Sequence, residues 1–170
     1  MTMENLREHA IGALLLLAAI APQKASAQAF DGDMDKKVHA GYLGMEGKSG
    51  IEMEFLDGLS DCFSYGGFAR VVFNNDVGDR LSCLDVGASA YFHWDELLNL
   101  PDRLDIHTGV QLSYQSGGVA GGMRYNFSER WGVFARVQKG LFDVFRSKEF
   151  GNPFGGRKFG FSVGLTYSFL

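Results

Sequence analysis

The final stretch, Lys158 to Leu170, constrains this chain more than any other. Phe159, Phe161, Val163, Leu165, Tyr167 and Phe169 alternate with Gly160, Ser162, Gly164, Thr166 and Ser168. Side chains alternate faces along a β-strand, so one face of this segment is apolar and aromatic and the other small and polar. A strand that is apolar outside and polar inside, with an aromatic close to its end, suits the closing strand of a barrel whose solvent is lipid. A soluble strand alternates equally well, so the remaining segments must decide.

The alternation recurs seven more times. Val38, Ala40 and Tyr42 share a face, as do Ile51, Met53 and Phe55 on a shorter second strand. Phe63, Tyr65, Gly67, Ala69, Val71 and Phe73 follow on a third. Leu84 to Trp94, Leu104 to Tyr114, Val119 to Phe127 and Trp131 to Val137 repeat the pattern. Turn signals separate them at Glu46–Ser49, Asp57-Gly58, Asn74–Asp76, Asn99–Asp102, Ser116–Gly118 and Asn126–Arg130, and Gly151-Asn152-Pro153 lies in a longer loop, Asp143 to Arg157. An even count of eight strands of about ten residues fits a tilted strand crossing an apolar band of about 25 Å. The expected fold is therefore all-β, an eight-stranded antiparallel up-and-down transmembrane barrel. With 23 Gly and 15 Phe but only 3 Pro, the composition agrees.

Aromatic placement sharpens the reading. If odd strands run outward from the periplasm, the periplasmic ends collect Phe63, Tyr65, Phe92, Trp94, Tyr125, Phe127, Trp131, Tyr167 and Phe169 on the lipid face, as an interfacial girdle. Tyr42, Phe73, Tyr114 and Phe159 fall near the other interface. The opposite face carries Lys37, His39, Glu52, Glu54, Arg70, Asp85, His93, Asp105, His107, Gln111, Arg124, Arg136 and Gln138. Such a face excludes a greasy ligand calyx. An eight-stranded interior is only wide enough to be filled by side chains, so the charges are expected to pair and close it. By this register Arg at Val110 would face lipid, and Arg at Gln111 would face the interior and be milder.

Upstream, Ala10 to Ala21 is apolar but too short to span a bilayer, and Ala25-Ser26-Ala27 follows as a small-x-small cleavage site. The domain reading is a signal peptide at 1–27, a short periplasmic lead at 28–35 and the barrel at 36–170. The alternative is an amphipathic first helix of a soluble protein. The net charge of −4 argues against nucleic-acid binding. Cys62 and Cys83 fall at opposite ends of adjacent strands and are read as reduced.

The strand pattern, the turn Tyr125-Asn126-Phe127-Ser128-Glu129-Arg130-Trp131 and the end Tyr167-Ser168-Phe169 resemble the small outer-membrane barrels typified by the OmpA transmembrane domain and OmpX. The resemblance covers residues 36–170 and extends to small barrels of Bacteroidota envelopes. It implies residence in the outer membrane of a Gram-negative cell and insertion by the barrel-assembly machinery.

Chemistry is sparse. Ser89, His93, Asp105 and His107 can be drawn as a hydrolytic set, but all four point inward, whereas a lipid-modifying enzyme needs its nucleophile at the lipid face or rim. A buried polar network is the preferred reading, with no catalytic residue, metal or cofactor. The small lipid-facing residues Gly67, Ala69, Ala88, Ala90, Gly121 and Ala135 offer close approach to another barrel. The resulting expectation is a non-enzymatic structural or accessory subunit of an outer-membrane complex in assembly or secretion, in contact with outer-membrane lipid and another outer-membrane protein. A lipid-modifying enzyme and a narrow channel are the alternatives. Intact-mass measurement on protein extracted from membranes should place the N-terminus at Gln28; an intact Met1 or recovery in the soluble fraction contradicts the targeting reading.

Overall fold

A computed structural model describes residues 28–73, 83–144, 153–154 and 157–169 of the chain. The proposed signal peptide, the Asn74–Asp76 turn signal and Leu170 lie outside the described residues. Eight strands form the barrel: β1 (Lys36–Met45), β2 (Lys48–Ser60), β3 (Phe63–Val72), β4 (Leu84–His93), β5 (Leu104–Ser113), β6 (Ser116–Asn126), β7 (Trp131–Asp143) and β8 (Phe159–Ser168). Each strand pairs antiparallel with its sequence neighbours, and β8 pairs with β1 to close the cylinder. Closure leaves no strand edge, so every strand finds backbone partners on both sides. No described helix is long and apolar enough to cross a membrane.

Alternation sets the two faces. Along β5, Val110 is 59% exposed and Gln111 is 7% exposed. The outward face is apolar on every strand, from Ile51, Met53 and Phe55 on β2 to Phe161, Val163 and Leu165 on β8. At the end of the barrel that carries residues 28–35, the lead end, outward aromatics form edge-to-face contacts. Phe92 lies between Phe63 and Trp94, with ring centroids 5.0 and 4.8 Å away. Tyr167 lies between Trp131 and Phe169, at 4.9 and 5.2 Å. Tyr65 and Tyr125 continue this belt as exposed side chains, and Phe127 sits half-buried in the β6–β7 turn. The Trp94 indole N–H donates to Thr108 Oγ1 at 2.9 Å, so its polar edge stays satisfied on an apolar face.

Several local expectations need correction. The second strand is long, and Asp57-Gly58 is inside it; the chain turns at Asp61-Cys62 instead. Glycine is needed at 58 for a crossing. A Cβ there would overlap the carbonyl oxygen of Gly32, where residues 28–35 pass over the strand. The first hairpin uses only Glu46-Gly47, both with positive φ, the twist-matched two-residue turn. The β5–β6 turn is Tyr114-Gln115 rather than Ser116–Gly118, because the Ser113 hydroxyl receives the backbone N–H of Gln115 and Ser116 and caps the reversal there. Tyr114 therefore leaves the strand, and its hydroxyl donates to Leu84 O at 2.7 Å. A short helix, α1 (Asp95–Leu98), joins β4 to β5 and ends at Asn99 in the left-handed region. The β3–β4 connection spans residues 73–83.

Gln111 also corrects the comparison drawn from its neighbour. Its side chain accepts from Arg70 at 2.7 Å and donates to the Tyr91 hydroxyl at 2.6 Å. An arginine there would face Arg70, so it is not a mild substitution. Val110→Arg should lower stability by about 2–4 kcal/mol if its face meets lipid, whereas Val110→Leu should fold normally. Heat-modifiable gel mobility reads both; equal folding would mean that β5 does not present Val110 to hydrocarbon.

Candidate functional site

Among the described residues, charged and titratable side chains concentrate in the barrel interior. Inward positions on β2, β6 and β7 supply Glu52 and Glu54, Arg124, and Arg136, all buried. Arg136 reaches across to both Glu52 and Glu54, and also donates to the Tyr91 hydroxyl at 2.7 Å. Arg70 Nε donates to the other Glu52 oxygen at 2.7 Å. Glu54 accepts further hydrogen bonds from Ser89 at 2.7 Å and Tyr91 at 3.0 Å, and lies 3.6 Å from His39 Nδ1. Two guanidinium groups and two carboxylates thus form a central cluster in which each charge meets at least one opposite charge.

A second cluster sits nearer the lead end. Asp105 accepts from His93 Nδ1 at 2.8 Å through one oxygen and from His107 Nδ1 at 2.9 Å through the other. Arg124 lies 3.2 Å from that second oxygen and 3.5 Å from Asp35, which also pairs with Lys37. Adjacent-strand register explains the grouping: His93 faces His107, and Asp105 faces Arg124. A carboxylate only accepts, so both imidazoles donate from Nδ1, and in neutral His93 the Nε2 is left as an acceptor. Ser64 Oγ occupies that position at 2.8 Å. The hydroxyl beside His93 is therefore Ser64, not Ser89, which donates to Glu54 instead.

Both ends of the interior are stoppered. Phe30 is 2% exposed and lies flat on the His93 ring, with centroids 3.6 Å apart and planes 5° apart. The Asn126 side-chain amide donates to Gln28 O at 2.7 Å, and Ala29 N–H donates to Asp102 O at 2.6 Å, so the lead is tied to the end of β6 and to the β4–β5 connection. At the far end Phe154, from the loop after β7, packs with Leu43, Met45 and Val72. From the sequence, the lead reads only as a short periplasmic segment and 143–157 only as a longer loop, neither with a place in the interior. Nor does that reading single out the inward aromatics Phe68, Tyr91 and Phe134; Phe134 stacks on His39 at 4.7 Å. Periodicity marks Phe68, Tyr91 and Phe134 as inward, since each neighbours an outward position on its strand.

Among the described residues, five buried carboxylates (Asp35, Glu52, Glu54, Asp85, Asp105) face four buried cations (Lys37, Arg70, Arg124, Arg136). Asp85 is the least well paired, with Arg70 Nη1 at 3.9 Å. His93, Asp105 and His107 bring three metal-type donor atoms within 4.8 Å of one another. Lys37 and Arg124 already balance Asp35 and Asp105 there, and a divalent cation would add two uncompensated charges in a low dielectric. Outside the strands, Asp95 in α1 has its carboxyl pushed up from the usual range, chiefly by burial and then by the charge of Asp105. Cys62 and Cys83 form no disulfide.

Removing one member of this network strands another in a closed interior. Arg136→Ala should lower unfolding stability by about 3–5 kcal/mol, and Arg124→Ala by a similar amount. Denaturant titration of detergent-folded protein reads the loss. Planar-bilayer recording of the wild type should show no steady conductance; a stable open channel, or an Arg136→Ala variant as stable as its parent, contradicts the closed interior.

No family model matches the sequence, and no curated protein does. Among solved structures, the chain is similar to the crystal structure of the N-terminal β-barrel domain of Pseudomonas aeruginosa OprF. The match has a TM-score of 0.55 and 10% sequence identity, and covers 82% of this chain and 100% of that one. At that identity the likeness concerns fold alone, and the fold is a closed eight-stranded antiparallel barrel.

Proposed function

We propose that this protein is an integral outer-membrane barrel, exported by a signal peptide cut after Ala27, and that it serves as an accessory subunit of a larger outer-membrane complex in assembly or secretion. The lead end faces the periplasm, and the outward apolar face meets lipid between its aromatic belts. The likeness to an outer-membrane barrel supports the location. The central clusters act as a strut that fills the cylinder, which favours this role over a narrow channel. The drawn set around Ser89 has no reach to lipid, which counts against lipid modification.

One observation carries the docking role. At most strand glycines, such as Gly87 and Gly109, an added Cβ would overlap a neighbouring strand's carbonyl oxygen, so the residue is dictated by the barrel itself. Gly121 is different. A Cβ there would come no closer than 3.6 Å to Thr108 Cγ2 and 3.7 Å to His107 O, which is ordinary contact. Gly67 is likewise open, with Gly87 O at 3.7 Å. The fold does not require glycine at either place, and both face outward. Gly121 floors a groove of about 400 Å³ walled by Met123, Ala135, Val137, Phe161 and Val163. Small residues on a lipid face let a second backbone approach closely, which is where packing gain is available in a membrane.

Gly121→Leu should fill this groove without harming the barrel. Mild-detergent extraction of the wild type should bring down one defined outer-membrane protein in near-stoichiometric amount. The variant should fold, by heat-modifiable mobility, yet lose that companion, while Val110→Leu keeps it. Identical co-purifying sets for wild type and Gly121→Leu would contradict docking at this groove.

A further inference from the structure

The docking role leaves one arrangement unused, the chain of hydrogen bonds Ser64–His93–Asp105. The links are 2.8 Å from Ser64 Oγ to His93 Nε2 and 2.8 Å from His93 Nδ1 to Asp105. The remaining Asp105 oxygen is held by His107 and Arg124, which keeps the carboxylate from rotating away. The order is hydroxyl, imidazole, carboxylate, with the imidazole tautomer fixed by the carboxylate, as nucleophile activation requires. Three strands supply the parts: β3 the serine, β4 the histidine, β5 the aspartate.

The lead covers this set. Phe30 lies flat on one face of the imidazole. Gly58, which faces Ser64 across the β2–β3 ladder, carries the Gly32 carbonyl against it, so the chain passes directly over the serine. Ser64 is 3% exposed. The cover is a separate short segment. It ends in a 3-10 turn, Gly32–Met34, with a positive φ at Gly32, and is held by hydrogen bonds from Asn126 and to Asp102 and by the Phe30 stack, while its ion pairs begin at Asp35 with Lys37 and Arg124.

We infer that Ser64 is a masked nucleophile, uncovered when residues 28–33 lift from the barrel mouth, and that it attacks a carboxylic ester entering at the lead end. In that step Ser64 Oγ bonds to the carbonyl carbon and its proton passes to His93 Nε2. The tetrahedral adduct then expels the alcohol, which takes the proton from His93 and leaves Ser64 acylated. Water, deprotonated in turn by His93, releases the carboxylic acid. Asp61, Asp95 and Glu96 rim the mouth beside the lead, and their carboxylates select uncharged or cationic esters over anionic lipid. This goes beyond the docking role and is independent of the Gly121 groove.

The test uses the full mature chain folded in detergent and a small, uncharged fluorophosphonate, which forms an Oγ–P bond with release of fluoride. Adducts are located by peptide mass mapping. Phe30→Gly should be labelled at Ser64 at least tenfold faster than the wild type. Adding Ser64→Ala should abolish that adduct, and adding His93→Gln should slow it at least tenfold. Phe30→Leu, which keeps an apolar cover but no stacked ring, serves as the second variant and should show an intermediate rate. A folded Phe30→Gly protein labelled at Ser64 no faster than the wild type overturns the inference, as does labelling indifferent to His93→Gln. Co-purification of the docking partner is unaffected by any of these variants if both inferences hold.

Discussion

Charge burial inside a narrow cylinder governs this structure. Eight strands enclose too little space for bulk water, so every ionised group inside must be met by another side chain or destabilise the barrel. Arg136 answers both glutamates of β2, Arg70 shares one of them, and Arg124 answers Asp105 and Asp35. The Arg136 contacts join β2 to β7 across the lumen and Arg124–Asp35 joins the lead to β6, elements that share no backbone ladder, whereas Arg70–Glu52 and Arg124–Asp105 pair neighbouring strands. A buried ion pair is a weak source of net stability, but losing one partner is costly. The network therefore specifies which strands face one another more than it adds to the total.

The same constraint explains the two stoppers. A polar interior open at its mouths would admit water and weaken each pair. Phe30 closes the lead end on His93, and Phe154 closes the far end on Leu43, Met45 and Val72. The lead also supplies Asp35, the partner that Lys37 needs and that the strands alone do not provide. Gly58 is the sequence's provision for this closure, since a side chain there would collide with the lead.

Period-two alternation made the barrel, its strand number and the facing of residues such as Val110 and Gln111 legible in advance. It was legible because lipid outside and charge inside give the two faces opposite chemistry. Pairings were less so. Which carboxylate meets Arg136 depends on stagger across the lumen, and no local pattern encodes that. Ser64 was overlooked beside Ser89 because both are inward serines, and only the β3–β4 register separates them. The roles of Phe30 and Phe154 were hidden because an aromatic in a loop carries no period to say what it packs against. Glycine misled at Asp57-Gly58, where a close crossing has the same sequence signature as a turn.

A double-mutant cycle between Arg136 and Glu54 tests the organising role of the interior most directly. Arg70 still serves Glu52 when Arg136 is gone, and Glu52 still serves Arg136 when Glu54 is gone, so the cycle isolates one cross-lumen pair. Unfolding free energies of the wild type, Arg136→Met, Glu54→Met and the double variant would be compared in one detergent. A cost for the double variant at least about 1 kcal/mol below the sum of the singles is the predicted result. Additivity within about 0.3–0.5 kcal/mol would contradict it, because the two residues would then stabilise the barrel independently of each other.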